Sequence, residues 1–379
     1  MSTTPAWIET PTIFSTHLST LLGCDVYLKL ENLQISQSFK YRGLSLFAQH
    51  VKDNHGPTAK LIVASGGNAG LATACAARNL GLQCTVYIPD GISDAMMRRL
   101  KQEHAEVIVG GENYLYSLRR AEEAVKQDPS AVLVPAYDDP LLWEGHGSMI
   151  EEIHKQIPQL KPDVIFCSVG GGGLFGGVMT GCRKVGWDDI PLVILETHGS
   201  ACFYHSMAMN NREAWTYETP KGISEGEDEK HGVAIAHLSK IESLASSLGA
   251  SSPSAGVVKM ALEREGRSVC VTVPDELSMQ STRLFAEDHK FLVELACATT
   301  LTVAYNPELF SEIWGRIQKN DVKPKSIVLI VCGGVKISLD EMESYKVKVR
   351  SKCEAAPNWS ICCNGENLSI PAQYLHELM

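Results

Sequence analysis

Ser38-Phe39-Lys40-Tyr41-Arg42-Gly43 places a lysine between an aromatic ring and a glycine, shortly after the strand-like run Asp25-Val26-Tyr27-Leu28-Lys29-Leu30. A lysine alone is most often a solvated surface charge. An amine delivered by a strand end into a closed site can instead attack a carbonyl. Three more strand ends carry chemistry that would complete such a site. Ser65-Gly66-Gly67-Asn68-Ala69-Gly70 follows the apolar run Lys60-Leu61-Ile62-Val63-Ala64, and offers a hydroxyl, an amide and unhindered backbone N–H groups. Gly170-Gly171-Gly172-Gly173 follows Val164-Ile165-Phe166-Cys167-Ser168-Val169 and leads into a helical pattern from Leu174. Four glycines without context read as a linker, but between a strand and a helix they aim N–H groups and a positive helix end at one point, which favours a phosphate. Cys332-Gly333-Gly334 closes the run Ile327-Val328-Leu329-Ile330-Val331. A cofactor with one phosphate, one aldehyde and one ring nitrogen would employ all four turns.

The elements that must position these turns alternate between strand and helix. After Lys60–Ala64 come helical spacing from Leu71 to Leu80, strands at Gln83–Pro89 and Glu106–Gly110, helices at Asp94–Gln102 and Tyr114–Lys126, and a strand at Ala131–Val134. This alternation predicts a parallel sheet with helices on both faces. A second unit begins with a helix near Ser148–Gln156 and strands at Val164–Val169 and Pro191–Glu196. Strands at Ser268–Val273 and Ser326–Cys332 bracket a helical stretch from Glu276 to Tyr305. The stretch 204–240, centred on Glu225-Gly226-Glu227-Asp228-Glu229-Lys230, reads as a solvated surface insertion, and the tail beyond Tyr345 shows no clear period.

The chain of 379 residues is long enough for two domains sharing one interface. Its 44% apolar and 21% charged content is that of a globular protein, and a net charge of -10 argues against a nucleic-acid partner. The longest apolar runs are strand-sized, so no membrane span is expected. The amino terminus has no signal-peptide pattern, and the twelve cysteines are spread among apolar runs, so a cytoplasmic protein with reduced thiols is expected.

A rival reading uses Gly171, Gly173 and Gly176 as a dinucleotide fingerprint, with Glu196 at the end of the next strand as the ribose acid. It would make the chain an NAD-dependent oxidoreductase. It leaves Lys40, the Ser65 turn and Cys332-Gly333-Gly334 without roles.

As a set, Leu30-Glu31-Asn32-Leu33-Gln34, the Lys40 segment, the Ser65–Gly70 turn, Asp138-Asp139-Pro140-Leu141-Leu142-Trp143-Glu144-Gly145-His146, Ser168–Leu174 and Val331–Gly334 resemble the catabolic serine/threonine dehydratase (ammonia-lyase) family of pyridoxal-phosphate enzymes. The resemblance runs from about Thr10 to Tyr345. It implies an α/β fold of the tryptophan synthase β type: two open, twisted, mainly parallel sheets flanked by helices, with the cofactor between two domains. The large domain would span 1–40 and 142–345, the small one 41–141, and 346–379 would be an extension.

The implied activity is β-elimination from L-serine or L-threonine to a 2-oxo acid and ammonia, with a serine racemase or a non-catalytic cofactor-binding relic as alternatives. Lys40 would hold the cofactor covalently and take the Cα proton. Phe39 would cover the ring, Gly170, Gly171, Gly172, Gly173 and Leu174 would hold the phosphate, and Cys332 would face the ring nitrogen. Ser65, Gly66, Asn68 and Ala69 would grip the substrate carboxylate, with Asn68 also reaching the cofactor and Ser65 returning a proton. The resemblance further implies potassium held by Glu196 with carbonyls near Gly170, Ser200, Leu248 and Ala250. A homodimer is expected. Ile35 and Gln37 stand where the family has proline and glycine, and Leu295 where it has proline; Gln37 is expected to narrow the pocket.

Overall fold

The computed structural model describes residues 5–318 and 322–372. Its strands begin with β1 (Thr12–Phe14), β2 (Asp25–Leu30), β3 (Lys60–Ala64), β4 (Gln83–Ile88), β5 (Glu106–Val109), β6 (Ala131–Leu133) and β7 (Val164–Ser168). They continue with β8 (Leu192–Thr197), β9 (Ile223–Asp228), β10 (Val233–Leu238), β11 (Ser268–Val273), β12 (Ser326–Val331), β13 (Asn358–Cys363) and β14 (Glu366–Pro371).

Two open, mainly parallel sheets carry the site. The larger has the order β1-β2-β12-β7-β8-β11-β13-β14, with β2, β12, β7, β8 and β11 mutually parallel. The smaller, β5-β4-β3-β6, is parallel throughout. Helices cover both faces of a parallel sheet, which is why β7, β8 and β12 are largely apolar and buried at every position rather than alternating. In such sheets the carboxyl ends of neighbouring strands open onto one crevice. The Lys40 segment, Cys332 and the glycine loop all follow ends of this kind, on β2, β12 and β7.

Local chemistry sets where the helices begin. The Asp139 side chain accepts the Leu141 N–H at 2.8 Å, and Pro140 occupies the first turn of helix Pro140–Gln156, where a missing N–H costs nothing. Gly172 precedes helix Gly173–Lys184 with φ +101°, a left-handed conformation that a side chain would strain.

A buried charge cluster pins the start of helix Lys40–His55. Arg42, wholly buried, meets Glu31 through Nε at 2.6 Å and Nη2 at 2.8 Å, and Glu152 through both Nη atoms at 2.6 Å. Lys29 adds a 2.6 Å bond to Glu152, and Thr10 donates to Glu31 at 2.6 Å. Two cations thus balance two anions, joining β2, the Lys40 helix and helix Pro140–Gln156. Burial alone would raise Glu31, but Arg42, with Lys29 and Thr10, outweighs it and holds the carboxyl below its usual range.

Several expectations need correction. The stretch 204–240 is not a solvated insertion. Helix Cys202–Asn210 buries Phe203, Tyr204 and Met207, and β10 buries Val233, Ile235 and Ala236, while the acids lie on its hairpin partner β9. The tail is structured: helix Leu339–Ala355 leads to the β13–β14 hairpin, which extends the larger sheet through β11. Residues 373–379 of the expected extension, and 1–4 of the expected large domain, lie outside the described residues. The helical stretch Glu276–Tyr305 is two helices, Asp275–His289 and Leu295–Leu301, with Glu294 at the junction.

Candidate active site

One cavity of about 670 Å³ gathers Phe39, Lys40, the Ser65–Ala69 turn, Gly170–Leu174 and Cys332. That size suits a small-molecule cofactor with substrate. Lys40 opens its helix, with Nζ 4.9 Å from the Phe39 ring centroid. Burial pulls its pKa down, against the raising influence of Cys332 and Glu294, which shifts the balance toward the neutral, nucleophilic amine. Phe39 packs edge-on against His146 at 4.8 Å, and His146 Nδ1 accepts the Gly43 N–H at 3.1 Å. Burial drives His146 well below its ordinary pKa, so this ring is neutral packing beneath Lys40.

The lysine segment is laced to the Cys332 turn. Phe39 N–H donates to the Cys332 carbonyl at 3.0 Å, and Gly334 N–H to the Gln37 carbonyl at 2.7 Å. Gln37 has φ +59°, the left-handed region for which glycine is the usual solution. Its side chain is exposed and is not part of the cavity wall, so it does not narrow the pocket; its backbone shape is what the position demands.

In the Ser65 turn, Ser65 Oγ accepts the Gly67 N–H at 3.3 Å, leaving the hydroxyl hydrogen free to donate elsewhere. Gly70 permits the tightness of this turn, since a Cβ there would lie 2.0 Å from the Ser65 carbonyl oxygen. Asn68 is held on every side. Its Nδ2 donates to Glu294 Oε1 at 2.9 Å and Ser247 Oγ at 3.3 Å, and its Oδ1 accepts the Val335 N–H at 3.1 Å. At the glycine loop the Tyr137 ring lies against Gly171 and its backbone against Gly173, with its hydroxyl donating to the Ser252 carbonyl at 3.1 Å. Cys332 Sγ lies 3.6 Å from Ser168 Oγ, and the neighbouring Cys297 thiol accepts the Gly333 N–H at 3.3 Å.

The expected cation ligands divide. Gly170, Leu248 and Ala250 line the cavity, whereas Glu196 and Ser200 are buried and do not. Gly170 packs so closely on Leu248 that a Cβ would come within 2.7 Å of the Leu248 oxygen. Glu196 is 1% exposed and accepts the Phe203 and Tyr204 N–H groups at 3.0 and 2.6 Å. This contradicts the dinucleotide reading, because a ribose cannot reach that carboxylate.

Sequence reasoning missed Glu294, Tyr137 and Lys336, all on the cavity wall. Glu294 sits at a helix junction that a continuous apolar pattern conceals. Tyr137, directly before Asp138-Asp139, could have been found from its place beside that motif.

An amine, an anion-binding glycine loop and a strand-end thiol in one cavity fit the aldehyde, phosphate and ring of pyridoxal phosphate. Residues 3–333 match the pyridoxal-phosphate dependent enzyme family, and the chain belongs to it. It is 35% identical over 343 residues to the L-serine dehydratase/L-threonine deaminase of Mus musculus, covering 90% of this chain and 95% of that protein. The L-serine dehydratase of Dictyostelium discoideum is 33% identical over 343 residues, covering 87% and 89%. Among solved structures, a fungal L-serine ammonia-lyase from Rhizomucor miehei superposes with a TM-score of 0.76 at 28% identity, over 90% of this chain and 98% of that one.

Proposed function

We propose that this enzyme eliminates the β-hydroxyl of L-serine and/or L-threonine as water, and that the released enamine takes water back up as it hydrolyses to the 2-oxo acid and ammonia. The observation that carries the reading is the convergence of Lys40, the Ser65–Ala69 turn, the Gly170–Leu174 loop and Cys332 on one cavity. Pyridoxal phosphate, when bound, supplies the electron sink that makes the Cα proton acidic. The chain supplies placement. Lys40 holds the cofactor and then, as a neutral amine, takes the Cα proton. Gly170, Gly171, Gly172, Gly173 and Leu174 bind the phosphate with backbone N–H groups, and Phe39 covers the ring. Ser65, Gly66, Asn68 and Ala69 receive the substrate carboxylate at the amino end of helix Asn68–Leu80. Ser65, with a free hydroxyl hydrogen, returns a proton. Of the Asn68 bonds, the longer one to Ser247 is the one a ligand would replace. Incubation with L-serine or L-threonine should release 2-oxo acid and ammonia in equal amounts, and release of neither from protein charged with pyridoxal phosphate would exclude the reading.

The proposal includes a potassium-type ion held by carbonyls near Gly170, Ser200, Leu248 and Ala250, with Glu196 as the charge behind them. Oxygen donors with one carboxylate suit a hard cation, and burial raises Glu196 well above its usual pKa, a cost that a cation would relieve. Activity is expected to be higher in potassium than in a large organic cation at equal ionic strength. Equal rates across a range of substrate would remove the ion from the account. The reading also includes a homodimer, a cytoplasmic setting that keeps the thiols reduced, and the division into domains 1–40 with 142–345 and 41–141. Among the described residues, no helix is long and apolar enough to cross a membrane.

Cys332 is assigned the ring nitrogen. A thiol is a weak acceptor and cannot hold a proton there as a carboxylate would. A weaker sink disfavours the long-lived carbanion that racemisation and transamination need. Cys332→Asp should therefore lower elimination and raise the share of D-amino acid and pyridoxamine phosphate among products, whereas Cys332→Ser should change that share little. An aspartate variant that binds cofactor and keeps the wild-type ratio would reduce Cys332 to packing.

A further inference from the structure

Among the described residues, three lysines line the cavity: Lys40, Lys240 and Lys336. Lys40 is the reactive amine and Lys240 is paired with Glu242 at 2.9 Å. Lys336 is different. Its Nζ donates to Ser246 Oγ at 3.2 Å, and among the described residues no carboxylate forms an ion pair with it. Its backbone N–H donates to Glu294 Oε2 at 3.1 Å, which fixes where the side chain starts. From there the chain folds back over the Ser65 turn. A Cβ placed on Gly67 would lie 2.9 Å from Lys336 Cε and 3.1 Å from its Nζ, so the ammonium rests on that glycine. Gly67 is the residue directly before helix Asn68–Leu80, whose first N–H groups have no partner within the helix.

An unpaired cation resting on a set of free N–H groups is arranged for an anion that arrives with the substrate. We propose that Lys336 is a substrate-binding residue that supplies the positive charge for the α-carboxylate held by the Ser65–Ala69 turn. This rests on the reading that the turn receives that carboxylate. The N–H groups alone would bind an uncharged amide carbonyl nearly as well; the ammonium makes the site select an acid. It also offsets Glu294, whose carboxylate lies in the same cavity and would otherwise repel an incoming anion. The charge is felt at Lys40 as well, where Lys336 adds to the lowering that burial begins.

The test is a calorimetric binding cycle on the cofactor-loaded protein, with L-alanine and L-alaninamide as ligands that lack the β-hydroxyl and so cannot undergo elimination. Wild type, Lys336→Met and Lys336→Arg are compared. The methionine keeps the length and the backbone N–H to Glu294, so the fold is preserved. Lys336→Met should weaken L-alanine about thirtyfold, the order of a lost charge-assisted hydrogen bond, while L-alaninamide changes less than about threefold. Lys336→Arg should recover most of the L-alanine affinity. With L-serine as substrate, the methionine variant should raise KM by a similar factor, with the larger part of the loss in kcat/KM coming from KM rather than kcat. Unchanged L-alanine affinity in Lys336→Met overturns the proposal while leaving the turn's role intact. Equal loss for both ligands overturns it too. If wild type itself binds the acid and the amide alike, the carboxylate reading of the turn fails along with the proposal.

Discussion

Lys40→Ala is expected to lose about 10³-fold or more of the 2-oxo acid-forming activity, the scale of removing a general base from its reaction. The loss should be chemical rather than structural. Lys40 lines the cavity, and the charge cluster that fixes its helix belongs to Arg42, Glu31, Glu152 and Lys29. The thermal midpoint of the apo-protein should therefore move little. Kinetics at saturating L-serine with added pyridoxal phosphate, beside a melting curve, separate the two effects. Activity within tenfold of wild type would remove Lys40 from the chemistry.

Arg42→Met should have the largest effect on stability. It leaves Glu31 and Glu152 facing each other without the guanidinium that bridges them, and breaking a buried pair from one side costs about 3–5 kcal/mol. The pH dependence follows from Glu31. In the wild type its folded pKa is depressed, so the stability it contributes is present above its unfolded pKa and is lost as pH falls through the folded value. Without Arg42, burial would raise the folded pKa, so the variant gains relative stability as Glu31 protonates. The gap between the two proteins should be widest near neutrality and narrow toward about pH 4, near the unfolded carboxyl. Denaturant unfolding at several pH values measures it, and a gap of constant size would contradict the assignment of charge to Glu31.

What the sequence made legible was backbone. The runs Val164–Cys167 and Ile327–Val331 are apolar throughout because both faces are covered, and that pattern is read directly from residue types. The glycine loop and the Ser65 turn declare themselves because only small residues allow such close approach. The β13–β14 hairpin carried an equally good signal that went unread. Asn364-Gly365, with φ +47° and +83°, is a preferred hairpin dipeptide, and Trp359, Ile361 and Cys363 alternate inward along β13. The β9–β10 hairpin was harder, because β9 carries its acids on an exposed strand and shows no apolar face.

Within the site, residues close in sequence to a glycine motif were found and those brought in by tertiary packing were not. Glu294 reaches Asn68 across 226 positions, and nothing in either neighbourhood announces the pairing. Lys336 lies only two residues beyond Gly334, yet its meaning depends on a side chain folding back onto Gly67. Glu196 shows the converse. Its place at a strand end suggested a ribose, and only the helix Cys202–Asn210 closing over it removed that use.

Borohydride reduction of the cofactor-loaded protein, followed by peptide mapping by mass spectrometry, tests most directly whether the four turns form one pyridoxal-phosphate site. The account predicts a single reduced pyridoxyl phosphate adduct, on Lys40 in Ser38-Phe39-Lys40-Tyr41-Arg42-Gly43, with loss of activity in proportion to labelling. An adduct on Lys336, Lys240 or any other lysine, with Lys40 unmodified, would contradict it.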